Sequence, residues 1–70
     1  MRFNDYKLVV YQNQADGWVA EIPAIDGCFA LMTTPEEAVR ELALVFEMIA
    51  AEYREEGRTL PKDSTEIVHA

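Results

Sequence analysis

The sequence predicts an α+β fold in which one long helix packs on one face of a small antiparallel sheet, in the element order βββαβ. Three short segments rich in β-branched and aromatic residues come first, and turn residues separate them. A long amphipathic segment follows, and a short β-rich segment ends the chain. Because 70 residues make one small domain at most, we expect a single domain over residues 1–70.

The first three strands are predicted to form an antiparallel meander, because only short turns connect them. Each turn carries an Asp-Gly pair, whose glycine supplies the positive φ that a tight loop needs. Pro23 ends the second strand, since proline cannot donate a ladder hydrogen bond. The predicted strands are residues 6–11, 18–22 and 28–32.

The start of the helix is the clearest signal in the chain. Thr34 suits the N-cap, Pro35 suits the first helical position, and Glu37 completes a capping box with Thr34. Gly57 is a natural left-handed stop, so the helix is predicted from residue 35 to about residue 56. Residues 65–68 are predicted as a short fourth strand.

The predicted helix has an apolar stripe, which we expect to pack on the sheet, and an opposite face rich in carboxylates. Leu44 and Met48 lie within that polar face, between Glu41 and Glu52. They are either isolated exposed residues or a small contact stripe for another protein, and the pattern leaves both interpretations open. The apolar stripe consists of Ala38, Val39, Leu42, Val45, Phe46, Ile49 and Tyr53.

The predicted sheet is apolar on both faces, although one helix can cover only one of them. Even-numbered strand residues are predicted to face the helix and odd-numbered ones to face away. Lys7 and Glu21 are the charged residues of the second face, whereas a sheet face in water alternates to polar residues. We therefore expect a homodimer or homotetramer. The residues predicted for self-association are Val9, Tyr11, Val19, Phe29 and Leu31.

The charge balance excludes several classes of partner. The chain has 13 acidic residues, 6 basic residues, one histidine and a net charge of −7. This composition argues against nucleic acids and anionic membranes as partners and favours a basic protein. A lone cysteine predicts a cytoplasmic location, since a secreted domain of this size normally carries several.

No pattern in the sequence indicates catalysis, a cofactor or a metal ion. His69 is the one histidine, and no cysteine stands at metal-ligand spacing from it. Cys28 has no histidine nearby in the sequence, and Ser64 lacks a nucleophile-elbow pattern. The helical carboxylates are spread along an outer face and do not converge in a cleft. We therefore expect a protein that is not an enzyme.

The order and spacing of several short motifs resemble the HicB-like antitoxin family over residues 6–61. The sequence departs from the family at Asp26, where members often have proline, and at Met32-Thr33, where they often have glycine. The matching residues are Tyr6 to Tyr11, Asp16-Gly17-Trp18, Glu21-Ile22-Pro23, Gly27-Cys28, Thr34 to Ala38, Gly57 and Leu60-Pro61.

The resemblance implies a truncated ribonuclease H-like fold without ribonuclease activity, with the sheet order 3-2-1-4 and the last strand parallel to the first. It also implies an antitoxin that masks a small, basic, RNA-cleaving toxin of the HicA type. Many members carry a C-terminal DNA-binding domain, but this chain stops at Ala70, so we expect no direct DNA binding. The residues that we expect to contact the toxin are Glu41, Leu44, Met48 and Glu52.

Two other classes of function remain open. The uncovered sheet face could form the wall of a small-ligand pocket, in a stand-alone binding module or structural oligomer without a toxin partner. A nuclease remnant with weak metal-dependent activity is the third hypothesis, and incubation with RNA and Mg²⁺ or Mn²⁺ would test it.

Overall fold

The computed structural model describes residues 1–14 and 16–69 and has an α+β fold with one sheet and one long helix. A short 3-10 helix over Phe3–Asp5 precedes the sheet. The three strands pair antiparallel in the order β1-β2-β3, as predicted, although β1 begins and ends later than expected. The main elements are β1 (Val9–Asn13), β2 (Gly17–Glu21), β3 (Phe29–Met32) and α1 (Pro35–Glu55).

The register of the sheet confirms the predicted division into two faces. Odd-numbered residues pair with odd-numbered residues across all three strands, so they share one face and the even-numbered residues share the other. Helix α1 packs on the even-numbered face, mainly on β2 and β3. The rows of the odd-numbered face are Val9–Glu21–Phe29 and Tyr11–Val19–Leu31.

The first hairpin differs in detail from the prediction. Gln14, and not Gly17, has a left-handed backbone, with φ at 64°. Gly17 begins β2, where a Cβ would lie 2.7 Å from the backbone oxygen of Asn13 and 3.0 Å from Leu31 Cδ1. Close contact, rather than its own φ, is therefore the reason for glycine at this position. Ala15, which belongs to the predicted turn, lies outside the described residues.

Helix α1 begins at the predicted cap, where Thr34 Oγ1 accepts a hydrogen bond from Glu37 N at 3.1 Å. The Glu37 carboxylate accepts from the hydroxyls of Thr33 at 2.9 Å and Thr34 at 3.0 Å. These two hydrogen bonds hold the pKa of Glu37 below its usual value. The helix ends just before Gly57, whose φ of 69° confirms the left-handed stop.

The core lies between α1 and the even-numbered face of the sheet. Phe46 is at its centre, and the ring centroids of Phe3 and Tyr6 each lie 5.7 Å from that of Phe46. No helix among the described residues is long and apolar enough to cross a lipid bilayer. The buried residues of α1 are Ala38, Leu42, Phe46 and Ala50, and the partly buried Val39, Val45 and Ile49 pack against them.

The predicted fourth strand is not formed in the described part of the chain, where residues 58–69 make no strand. The segment nevertheless reaches the start of β1. Tyr6 Oη donates a hydrogen bond to Pro61 O at 2.6 Å, and Lys7 N donates to Asp63 Oδ2 at 2.6 Å. The N–H of Lys7 thus donates to a side-chain carboxylate. In a paired strand it would donate to the backbone carbonyl of the neighbouring strand instead.

Candidate protein-interaction surfaces

The sheet face away from α1 is apolar apart from Glu21 and partly exposed, and we call its residues Val9, Tyr11, Val19, Phe29 and Leu31 the open sheet face. Tyr11 exposes 43% of its surface, Phe29 57% and Leu31 55%. Val19 is buried between its cross-strand neighbours on β1 and β3. The structure therefore brings together the residues predicted for self-association.

The exposed part of the open sheet face is comparable in area to the largest apolar patch of an ordinary monomer. An aromatic side chain buries about 150–250 Å² when covered, so Tyr11 and Phe29, each about half exposed, present about 200 Å² together, and Leu31 adds to this patch. The largest apolar patch of a typical monomeric protein is about 300–600 Å² and is often functional. This face is therefore a candidate interaction surface in its own right.

A second surface lies on the side of α1 that faces away from the sheet, and we call it the outer helix face. Its members follow one another at intervals of three or four residues, which places them on one side of a helix. Leu44 is 58% exposed and Met48 is 65% exposed. The outer helix face consists of Glu41, Leu44, Met48 and Glu52.

A third feature is the C-terminal tail, residues 64–69, which follows the contact of Asp63 with Lys7. Tyr6 has an extended backbone, with φ at −110° and ψ at 144°, so its side chain and that of Lys7 point to opposite faces. Tyr6 is buried in the core, whereas Lys7 Nζ lies 3.8 Å from Asp63 Oδ2. Residues 61–63 therefore lie beside the segment that leads into β1.

Asp63 anchors the start of the tail. Its carboxylate accepts from the backbone N–H of Thr65 at 3.0 Å and of Lys7 at 2.6 Å, and these hydrogen bonds lower the pKa of Asp63. The anchor was not predicted from the sequence. The Asp-Ser-Thr run of residues 63–65 is typical of an Asx turn and could have indicated the local hydrogen bond, but nothing local indicates the contact with Lys7.

The remaining chemistry-bearing residues do not converge. Cys28 is buried, and desolvation raises the pKa of its thiol, which disfavours the nucleophilic thiolate. His69 is exposed in the tail. Within residues 1–14 and 16–69, no three His, Cys, Asp or Glu side chains lie together as metal ligands.

Two open depressions lie along the C-terminal half of α1, with volumes of about 290 Å³ and about 310 Å³. They share Met1, Ala50 and Arg54 in their walls. No residue of the open sheet face lines either of them. The small-ligand hypothesis expects a pocket on the open sheet face, whereas both depressions lie elsewhere.

Comparison with known proteins gives one relative and one family. No family model matches the sequence, and no solved structure matches it significantly. The chain is 36% identical over 63 residues to UPF0150 protein ssl0259 of Synechocystis sp., a match that covers 90% of this chain and 86% of that protein. The name of that relative states no activity, ligand or partner. With this identity over almost all of both chains, the protein belongs to the UPF0150 family.

Proposed function

We propose that this protein is a non-catalytic interaction module, a cytoplasmic antitoxin of the HicB-like type that masks a small, basic, RNA-cleaving toxin of the HicA type. The observation that carries the proposal is the outer helix face. Leu44 and Met48 are exposed there, with Glu41 and Glu52 beside them. An apolar centre with a charged rim is typical of protein–protein interfaces.

The charge of the chain supports a basic partner. With a net charge of −7, the protein attracts a cationic surface and raises the rate of encounter with it. A toxin that cleaves RNA needs a cationic surface to bind phosphates. The acidic helix would therefore occupy the surface that the toxin uses to bind RNA. Apolar contacts of Leu44 and Met48 with the toxin would stabilise this complex.

The HicB-like assignment entails a truncated ribonuclease H-like arrangement with a fourth strand. In this proposal, residues 65–68 pair with the outer edge of β1 and complete the order 3-2-1-4. The Asp63 anchor supports it, because it holds the segment beside Lys7, just before β1. Slow backbone amide exchange at residues 65–68 is the expected result, and exchange as fast as in an unfolded peptide would contradict it.

Self-association through the open sheet face belongs to the same proposal. An apolar sheet face is more typical of a covered surface than of one in water. We expect a homodimer or homotetramer at micromolar concentration by light scattering. Phe29→Asp or Leu31→Asp should shift the protein to monomer, and a monomer from the unaltered chain would contradict this part of the proposal.

The test of the main proposal uses the purified small basic protein encoded beside this gene. The unaltered chain should bind that protein and stop its cleavage of RNA. Met48→Lys should weaken binding by at least about tenfold, because it removes an apolar contact and adds a charge that repels the toxin. Asn4→Lys is the matched control, since it adds the same charge at an exposed residue of the 3-10 helix, away from the outer helix face. No binding by the unaltered chain, or equal losses for both variants, would contradict the proposal.

A further inference from the structure

We propose that the two depressions along the C-terminal half of α1 form a binding site for a small organic phosphate, a phosphate monoester that carries an aromatic or other apolar group. We call the pair of depressions the arginine cleft. The charge of its walls, the unpaired state of two of its arginines and its apolar residues support this assignment. The site is separate from the outer helix face, and its role does not depend on the toxin proposed above.

The walls of the arginine cleft reverse the charge balance of the chain. Acidic residues outnumber basic residues by 13 to 6 in the sequence. Among the described residues that line the cleft, the charged side chains are those of Arg2, Glu47, Arg54 and Arg58. Because salt screens exposed charges beyond about 8 Å, a small anion in the cleft is attracted mainly by the charges that line it. A long polyanion would also meet the acidic surface outside the cleft and be repelled there.

Two of these arginines have a guanidinium that no carboxylate neutralises. In the described part of the chain, neither Arg2 nor Arg54 makes an ion pair. Asp5 is close to Arg2, but its carboxylate accepts from the backbone N–H of Arg2, at 2.7 Å. Guanidinium groups that line a depression without a carboxylate partner are ready to bind an anion.

The third arginine, Arg58, is oriented by contacts within the protein. Its Nη1 donates a hydrogen bond to Glu56 Oε1 at 2.8 Å, and its Cζ lies 4.3 Å from the centroid of the Tyr53 ring. A guanidinium carries several N–H donors, so this arginine can bind a ligand while it keeps its bond to Glu56. The stacking on Tyr53 lowers the entropy that Arg58 loses when a ligand binds.

The arrangement of the arginines favours a phosphate over a carboxylate. Arg54 lines both depressions, whereas Arg2 lines one of them and Arg58 the other. An anion at Arg54 therefore has a further arginine in each depression. A phosphate monoester carries a charge of about −1.5 to −2 at pH 7 and several acceptor oxygens, so it can bond to more than one guanidinium. A single guanidinium fork already matches a carboxylate.

The apolar residues of the arginine cleft indicate that the ligand carries an apolar group beside its phosphate. Ala50 lines both depressions, Phe3 lines one, and Leu60 lines the other. Phe3 and Leu60 are only partly buried. The two volumes, about 290 Å³ and about 310 Å³, are close to the lower end of the range of about 300–1,000 Å³ for small-molecule sites. Such sites combine apolar walls with a few charged groups that fix the ligand.

The first experiment titrates the isotope-labelled full chain with phenyl phosphate and follows its backbone and arginine side-chain resonances by NMR. Saturable shifts are expected at Arg54, Arg58 and Thr59. Inorganic phosphate should bind at least about threefold more weakly, because it lacks the apolar group. Phenol should give no saturable shift, because it lacks the charge. Equal affinities for the two phosphates, or saturation by phenol, would overturn the assignment.

The second experiment compares three glutamine substitutions at exposed positions of α1. Arg54→Gln should weaken the binding of phenyl phosphate at least about tenfold, because it removes a charge-assisted hydrogen bond. Glu47→Gln should strengthen it by about two- to fivefold, because it removes the carboxylate that repels the anion. Arg40→Gln is the matched control, since Arg40 does not line the cleft, and its dissociation constant should stay within about twofold. Equal losses for Arg54→Gln and Arg40→Gln would overturn the site.

A third experiment separates a small ligand from a nucleic acid. A single-stranded RNA of about ten nucleotides should bind more weakly than phenyl phosphate, because the acidic chain repels a polyanion. An RNA that binds more tightly than phenyl phosphate and depends on Arg54 would overturn the small-ligand assignment. Met48→Lys should leave the shifts caused by phenyl phosphate at Arg54 unchanged, so a failure of toxin binding and a failure of phosphate binding can be told apart.

Discussion

Phe46→Leu is expected to destabilise the fold by about 1–3 kcal/mol, because it removes two aromatic contacts while keeping most of the buried apolar volume. The Phe46 ring meets Phe3 at an interplanar angle of 61° and Tyr6 at 57°, with both centroids 5.7 Å away. Each such pair contributes about 0.5–1.5 kcal/mol beyond the buried area. Phe46→Ala would cost about 3–5 kcal/mol, which is as much as a core of this size supplies, so leucine is the measurable change.

The assay is urea unfolding followed by the fluorescence of Trp18. All variants are compared at one protein concentration, because association changes apparent stability. With an m-value of about 1 kcal/mol per molar urea, the midpoint for Phe46→Leu should fall by about 1–3 M. Phe3→Leu removes one of the two contacts and should lower the midpoint about half as far. A Phe46→Leu midpoint within about 0.3 M of the unaltered chain would refute the reasoning.

Three further predictions follow from individual contacts. Tyr6→Phe loses the hydrogen bond to Pro61 O and should cost about 0.5–1.5 kcal/mol in the same urea assay; an unchanged midpoint would contradict it. Gly17→Ala places a Cβ 2.7 Å from a backbone oxygen, so we expect a lower melting temperature, and an equal or higher one would show that the hairpin relaxes freely. The pKa values of Glu37 and Asp63 are lowered by folding, so their contributions to stability are complete above about pH 4–5 and are lost as pH falls through the folded-state values. Asp63→Asn should therefore lower the free energy of unfolding at pH 7 and reduce the further loss of stability as the pH falls. If the stability of this variant changed with pH in parallel with that of the unaltered chain, the result would count against the anchor.

Local chemistry accounts for the parts of the fold that were predicted correctly. The cap at Thr34 and the stop at Gly57 depend on residues within one turn of each helix end. The two sheet faces follow from the alternation of side chains along a strand. This alternation does not depend on which strands lie beside it. The open sheet face and the outer helix face could therefore be identified before any coordinates.

Details that depend on how elements lie across one another were not predictable in this way. Val10 belongs to the helix-facing side of the sheet, as expected, yet it is exposed because α1 packs mainly on β2 and β3. Gly17 was expected to supply a positive φ, but the structure requires it because Leu31 and a backbone oxygen lie where a Cβ would be. Both outcomes depend on neighbours from other strands or from the helix.

The sequence by itself determined the number and order of the first four elements, the division of the sheet into two faces and the position of Leu44 and Met48 on the outer side of the helix. Only the tertiary structure decided that residues 61–63 return to the segment before β1, where Asp63 accepts the backbone N–H of Lys7. The physical reason is the separation along the chain. Alternation and caps act between residues a few positions apart, whereas the contact of Lys7 with Asp63 joins the two ends of the domain and arises only once the core has brought them together.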